Sequence, residues 1–522
     1  MIREISRRKC LRLWLCKPEY MGRTKWENRF VLLRFRKKNY MMFLKDLKRF
    51  KMERLYDKLK AYSESDFYAF HMPGHKRNKA LLGIELPYDL DITEIDGFDD
   101  LHHANGILKE EQERAARVFG AEESHFLVNG STAGILSAVM GCTHRGDKIL
   151  VARHCHKSIY HAIYMNGLVP RYVYPEFDIS MHMNGEISKE DVAKALAAEP
   201  DIKAVVIVSP NYDGVVSDVK GIAEVAHSYR IPLIVDEAHG PHFGFHPAFP
   251  GRANDLGADV VINSLHKTLP SLTQTAILHI NGKLANRRRI KKYLDMLQSS
   301  SPSYIFMASL DACVDFVDGK CENAFELYVE RLQKFREELK PLQHLQILRT
   351  EHYDISKVVI STANANITSP ELADRLRKEY HLEMEMTGGT YVLAMTTVAD
   401  TQEGLDRLKS ALLEIDDQLE AKTAVSGSIE ISGELPRLEQ YFTPQEAAER
   451  EEDGEAEEIP WKESEGHISL EYAYLYPPGS PVIVPGERIS REAVELLCYY
   501  ETQNLQIEGI QTEGKIKVWK HE

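Results

Sequence analysis

The chain has 522 residues, 43% hydrophobic and 28% charged, with a net charge of −14. That suits two or three domains of ordinary soluble composition, argues against a nucleic-acid partner, and includes no apolar run near the ~20 residues of a membrane helix. Seven cysteines, Cys10, Cys16, Cys142, Cys155, Cys313, Cys321 and Cys498, are widely spaced without a Cys-x-x-Cys pair, so no disulfide framework and no metal site is expected, and a cytoplasmic location fits.

Residues 1–51 carry 17 Lys and Arg against 4 Asp and Glu, a net of +13, which leaves −27 for the rest of a chain totalling −14. A basic arm for nucleic acid or membrane is one reading, and a transit peptide another, though Glu4, Glu19 and Glu27 do not suit it. The reading adopted is translation from an upstream start codon, with Met52, or Met41 or Met42, as the real start. From 52 to 62 the spacing predicts an amphipathic helix, then an extended segment to a Pro-Gly turn at 73–74, then a helix over 108–119. Strands and helices then alternate: strands at 124–128, 148–152, 170–173, 204–209, 232–236, 259–264 and 275–280, helices at 132–142, 157–165, 188–198 and 219–228. Short Val/Ile-rich strands separated by helices imply a mostly parallel sheet covered on both faces. Helical stretches at 285–298 and 309–339 lead to a smaller α/β unit, with strands at 358–362 and 391–395 and helices at 370–379 and 401–420. Residues 425–466, with an acidic run at 446–458, read as a linker with a solvated, partly disordered face. A compact piece follows from 468 to 519.

Two segments carry the chemistry. Ile231-Pro232-Leu233-Ile234-Val235-Asp236 reads as a buried strand ending in an acid, and about thirty residues on comes Ser264-Leu265-His266-Lys267. A buried carboxylate is costly unless paired, and the protonated ring nitrogen of pyridoxal 5′-phosphate (PLP) is a suitable partner. PLP also needs a lysine whose amine can be neutral, the role of Lys267, while Ser264 would touch the phosphate. Asn129-Gly130-Ser131-Thr132 lies between a strand and a helix, where free N–H groups can cradle phosphate. By itself that segment is equally an ordinary N-cap.

Ser264-x-His266-Lys267 followed by Ser271-x-Thr273-Gln274-Thr275 resembles the PLP-attachment signature of the bacterial ornithine/lysine/arginine decarboxylases. Further blocks in the same order resemble that family: His71-Met72-Pro73-Gly74-His75, Asp91-Ile92-Thr93-Glu94, Asn129-Gly130-Ser131-Thr132, His154-Cys155-His156-Lys157-Ser158, Tyr212-Asp213-Gly214, Tyr476-Pro477-Pro478-Gly479 and Pro485-Gly486-Glu487. The likeness runs from about residue 52 to the C-terminus, at the length of the shorter, Gram-positive-type members, which lack a receiver-like N-terminal domain. It implies the α/β fold of type I PLP enzymes: a basic extension at 1–51 outside the fold, a PLP-binding major domain at 52–325, a small α/β domain at 326–424, the acidic linker at 425–466 and a C-terminal decarboxylase domain at 467–522.

The resemblance also implies decarboxylation of arginine, lysine or ornithine to agmatine, cadaverine or putrescine and CO2. The implied catalytic residues are Lys267, His266, His156 and Asp236. Ser131, Thr132 and Ser264 would contact phosphate, His156 would stack on the ring, and His239 would pack nearby. Where the family usually has Asn before Cys-His, this chain has His154. Lys267 and His266 are both candidates to protonate the α-carbon. Ser299-Ser300-Ser301-Pro302 resembles a segment that reaches the phosphate of a neighbouring subunit, which implies a homodimer. The segment by itself is equally a polar turn. Other fold-type-I enzymes, α-oxoamine synthases or aminotransferases, are the alternative, as is a non-catalytic dimeric paralogue.

Overall fold

Strands buried along their whole length dominate the large domain, and that burial follows from their unbroken apolar runs. The computed structural model describes residues 54–81, 83–178, 183–421, 434–475, 479–502 and 505–520. The basic arm at 1–51 lies outside them, as do residues 422–433 of the expected linker and Tyr476, Pro477 and Pro478. In chain order come α1 (Leu55–Ser63), α2 (Ile107–Val118), β1 (Glu123–Leu127), α3 (Gly130–Cys142), β2 (Lys148–Ala152), α4 (Lys157–Met165), β3 (Val169–Val173), α5 (Lys189–Ala198), β4 (Val205–Val208), α6 (Val219–Ser228), β5 (Leu233–Asp236), β6 (Val260–Asn263), β7 (Ala276–Ile280), α7 (Arg287–Leu297), α8 (Tyr304–Val317) and α9 (Glu322–Glu338).

Seven strands form one sheet in the order β1-β7-β6-β5-β4-β2-β3. From β3 through β6 neighbours are parallel, and β7 alone runs against its neighbours β6 and β1. The mostly parallel sheet expected from the alternating pattern is therefore present. Parallel strands put all their carboxyl ends on one edge, where α/β proteins bind ligands. Val208, Asp236 and Ile262 are neighbours across that edge. Helix α3 crosses α7 closely: a Cβ at Gly141 would lie 2.8 Å from the Ile290 Cα, so only glycine fits there.

The single helical stretch expected over 309–339 is two helices. Asp318 ends α8 and Gly319 turns the chain at φ 114°, a backbone conformation that favours glycine.

The small domain contains β8 (Gln346–Leu348), β9 (Lys357–Ser361), α10 (Ser369–Tyr380), β10 (Met386–Thr387), β11 (Tyr391–Met395) and α11 (Gln402–Asp416). Its antiparallel sheet has the order β8-β9-β11-β10, packed on a core that includes Val358, Ile360, Leu372, Leu376 and Leu412. Two backbone bonds, Asp354 N to Gly214 O and Val216 N to His352 O, both 2.8 Å, stitch its entry to the segment after β4.

The expected acidic linker needs correction over its described part. Residues 434–466 include a helix, Pro444–Glu452, and a strand, Ala456–Pro460, that pairs with Lys515–Trp519. Thr443 and Glu446 form a reciprocal capping box with proline in the first turn, which starts the helix. Ala447 is fully buried, while Glu451 meets Lys517 and Glu455 meets the Trp519 indole. The acidic composition thus marks the exposed face of structured elements.

Arg153, just past β2, meets Glu487 of the C-terminal region with both side chains fully buried. Its two terminal nitrogens donate to the two carboxylate oxygens at 2.7 and 2.8 Å, and one also donates to Val482 O at 2.9 Å. The Val484 N–H donates to the same carboxylate at 2.8 Å. Breaking a buried pair from one side strands the other charge. Glu487→Ala should cost about 3–5 kcal/mol in urea unfolding, and the double change Arg153→Met with Glu487→Leu markedly less.

Candidate active site

At the carboxyl edge of the large sheet lies a cavity of about 420 Å³, within the usual size of a cofactor or small-molecule site. Its floor is the end of β5. Asp236 is buried there, and its Oδ1 accepts the Ala238 N–H at 3.1 Å. Burial raises its pKa, and nearby Lys267 opposes the rise, so the carboxylate is costly until a cation joins it. Glu237, next in the chain, takes no part in lining the cavity. It accepts from Ala253 N at 2.8 Å and Asn263 Nδ2 at 3.0 Å, tying the end of β5 to β6, and burial pushes its pKa up to about 8.

Lys267 reaches the cavity from the short turn Leu265–Thr268 that follows β6. Its Nζ is 2.8 Å from His239 Nε2. Burial lowers the amine to about 8, with Lys357 adding to the drop and Asp236 and Glu385 opposing it. Burial also holds His239 well below the usual histidine value. His239 is therefore neutral at neutral pH, and Lys267 sheds its proton more readily than a free lysine, as a nucleophilic amine requires. His266 faces the cavity too, with Nδ1 2.9 Å from Thr275 O.

The opposite wall is the start of α3. Gly130 adopts φ 74° with open space around it, which suits glycine at the turn into the helix. The Asn129 side chain does not cap the helix, which leaves the N–H groups of Ser131 and Thr132 uncapped, and both residues line the cavity. The Gln274 carbonyl takes the Gly130 N–H at 2.9 Å and its side chain donates to Val128 O at 2.8 Å, so the β6–β7 loop braces this wall. Ser264 Oγ is buried without a hydrogen-bond partner. A buried orphan hydroxyl beside free helix N–H groups fits an anionic ligand.

His156 caps α4, with Nδ1 accepting from Ser158 N and close to Ser158 Oγ at 2.9 Å. Burial and the neighbouring Lys267 lower it to about 4, so its ring meets the cavity uncharged. Taken together, a phosphate cradle, a flat neutral ring, a buried acid and a lysine amine of lowered pKa in one cavity fit PLP. Ser299 and Ser300 are exposed and do not line it. Ser299 instead donates its N–H to Asn129 Oδ1 at 3.1 Å, at the rim of its own chain's cradle.

Several neighbours of the site had been given no role. Tyr212 sets its ring 4.5 Å from His239, and Asp213 accepts the Tyr391 hydroxyl at 2.6 Å. The block Tyr212-Asp213-Gly214 thus lies against the site. Behind Lys267, His242 joins Thr268 at 2.9 Å and Asp354 at 3.1 Å, and Asp354 lies 3.6 Å from the fully buried Lys357. No local pattern links these residues, since they come from both domains.

The Orn/Lys/Arg decarboxylase major-domain profile matches residues 53–365, and the C-terminal-domain profile of the same family matches 433–514. The chain belongs to the Orn/Lys/Arg decarboxylase family. It is 33% identical to an arginine decarboxylase of Bacillus subtilis, over 87% of this chain and 95% of the relative. It is 25% identical to a lysine decarboxylase of Pseudomonas aeruginosa, over 83% and 73%. Among solved structures, a lysine decarboxylase of Francisella novicida superposes with a TM-score of 0.76 at 20% identity, covering 92% of this chain and 84% of that one, a likeness of fold. The decarboxylase is thus a PLP-dependent enzyme acting on a basic amino acid, and the aminotransferase, oxoamine-synthase and non-catalytic readings fall away. No helix among the described residues is long and apolar enough to cross a membrane.

In PLP-free protein, Lys267 should react with an amine-acylating reagent half-maximally near pH 8, because the neutral amine is the reactive form and its pKa is lowered to about 8. Asp236→Asn removes a charge that opposes the drop, so the midpoint should move lower still. Mass spectrometry of the Lys267 peptide across pH would check both.

Proposed function

We propose that the decarboxylase acts on arginine, releasing agmatine and CO2, with Lys267 as the residue that carries PLP. Arginine decarboxylases among its relatives reach 33% identity, lysine decarboxylases 25%. The observation that carries the site assignment is the buried Lys267 amine, its pKa lowered to about 8, in one cavity with buried Asp236. PLP, when bound, supplies an electron sink for the pair left on the α-carbon as CO2 departs.

The chain's own residues would do the rest. Asp236 holds a proton at the pyridine nitrogen, its buried carboxylate gaining the cation it lacks. The N–H groups at the start of α3, with Ser131, Thr132 and Ser264, bind phosphate. His156 offers an uncharged face to the ring, and His239 orients the Lys267 amine. After CO2 leaves, Lys267 or His266 returns a proton to the α-carbon. The reducing cytoplasm is the proposed location. Five described cysteines, Cys142, Cys155, Cys313, Cys321 and Cys498, are free thiols.

Purified protein with PLP, offered arginine, lysine and ornithine in turn with amine products identified, tests the substrate. Turnover of lysine alone would overturn the arginine assignment. Lys267→Ala should abolish CO2 release with the fold intact, and Asp236→Asn should lower kcat by roughly 10²–10³-fold, the usual cost of losing one preorganised charge-stabilising group. PLP attached to another lysine would refute the site.

We further propose a homodimer in which Ser299 and Ser300 of one chain reach the phosphate held by the other. Their exposure, outside their own chain's cavity, supports this. Mixing the double variant Ser299→Ala, Ser300→Ala with Lys267→Ala under exchange conditions should restore part of the activity, because one site of each hybrid then carries neither change. No recovery despite proven exchange would assign the segment to its own chain.

A further inference from the structure

His154 stands where the family resemblance leads one to expect Asn, and it lines the cavity. The side chain is 7% exposed. The main chain at and beside it is held from several sides. Arg153 N donates to Val173 O at 2.8 Å, Cys155 N donates to Ala152 O at 3.0 Å, and Ser480 Oγ donates to the His154 carbonyl at 2.8 Å. Its imidazole, by contrast, is free. Nδ1 is buried with no hydrogen-bond partner, and neither ring nitrogen bonds any described residue. The other cavity histidines are engaged: His156 Nδ1 by Ser158, His239 Nε2 by Lys267, His266 Nδ1 by Thr275. A buried polar ring without partners calls for a ligand.

The chemistry of that ligand follows from the ring's charge state. Burial lowers His154 to about 4, so at neutral pH it is uncharged and one nitrogen presents a lone pair. Beside it, the Ser480 hydroxyl spends its proton on the His154 carbonyl and keeps its own lone pairs, and it lines the same cavity. This flank therefore offers acceptors. A guanidinium or ammonium group carries donors only. Of the two carboxylates that line the cavity among the described residues, Asp236 is committed to the cofactor ring under the reading above, and Asp213 takes the Tyr391 hydroxyl on Oδ1.

We propose that His154, with Ser480 of the C-terminal domain beside it, accepts N–H groups from the cationic end of the substrate side chain and is a specificity-determining residue. This rests on the reading of the chain as a basic amino-acid decarboxylase. The decarboxylated amines isolate the contact, because they keep the side-chain cation and lack the carboxylate.

Calorimetric titration of PLP-loaded enzyme with agmatine, cadaverine and putrescine, for the unaltered protein, His154→Phe and His154→Gln, tests it. His154→Phe should weaken the tightest-held amine by about tenfold or more, close to the 1.4 kcal/mol that a tenfold change represents, with PLP content unchanged. His154→Gln, which keeps an acceptor, should recover most of the loss. If His154→Phe does not fold, His154→Leu takes its place. An unchanged amine Kd in the variant overturns the proposal, as does a loss of PLP with no effect on the amines. So does an active enzyme that holds none of the three amines. Unaltered protein that neither binds an amine nor releases CO2 from any basic amino acid would instead sink the functional reading itself.

Discussion

Arg153 and Glu487 are separated by more than 300 residues and are both sealed from solvent. Two charges of this kind are tolerated in a protein interior only when each satisfies the other and further hydrogen bonds support them, which Val482 O and Val484 N–H supply here, while Arg153 Nε has no partner among the described residues. The pair fastens the C-terminal region to the end of β2. From that fastening follow the path of the next three residues, His154, Cys155 and His156, and the arrival of Ser480 at the cavity. The C-terminal region is thereby part of the active-site wall.

Burial of ionisable groups unites the site. Lys267, His154, His156, His239 and His266 all have lowered pKa values with desolvation as the leading cause. Such a set presents imidazole lone pairs at neutral pH and a lysine that gives up its proton far more readily than one on a surface. Asp236 is affected in the opposite sense, its ionised form disfavoured until a cation approaches. A cavity of neutral imidazoles with a buried acid at its floor is matched to a ligand that is cationic at a ring nitrogen. Under the proposed reading the phosphate would be met by backbone N–H groups at the start of α3 and by the hydroxyls of Ser131, Thr132 and Ser264.

The two domains share responsibility for Lys267. The turn that carries it is held through Thr268 to His242 and Asp354, and Asp354 also faces buried Lys357 at the start of β9. Gly214 lets this happen: a Cβ there would lie 2.8 Å from Lys357 Cγ, and its φ is 107°. A glycine in the Tyr212-Asp213-Gly214 block thus has a packing reason on the far side of the site.

Much of this was legible in the residues alone, because it depends on local order. Apolar runs such as Val205–Val208 and Leu233–Asp236 announce buried parallel strands, and the spacing of Asp236, Ser264 and Lys267 announces the cofactor chemistry. Composition misled at residues 446–458, because charge marks an exposed face whether the backbone beneath is coiled or folded, and a capping box with one buried alanine decides between them. The break at Gly319 shows that an apolar period runs through a turn when the flanking helices bury the same face. Tertiary structure alone decided which distant residues meet: Arg153 with Glu487, Thr268 with Asp354 through His242, and the unpartnered ring of His154 with the cavity. Burial and pairing across hundreds of residues depend on three-dimensional packing, and no one-dimensional period encodes them.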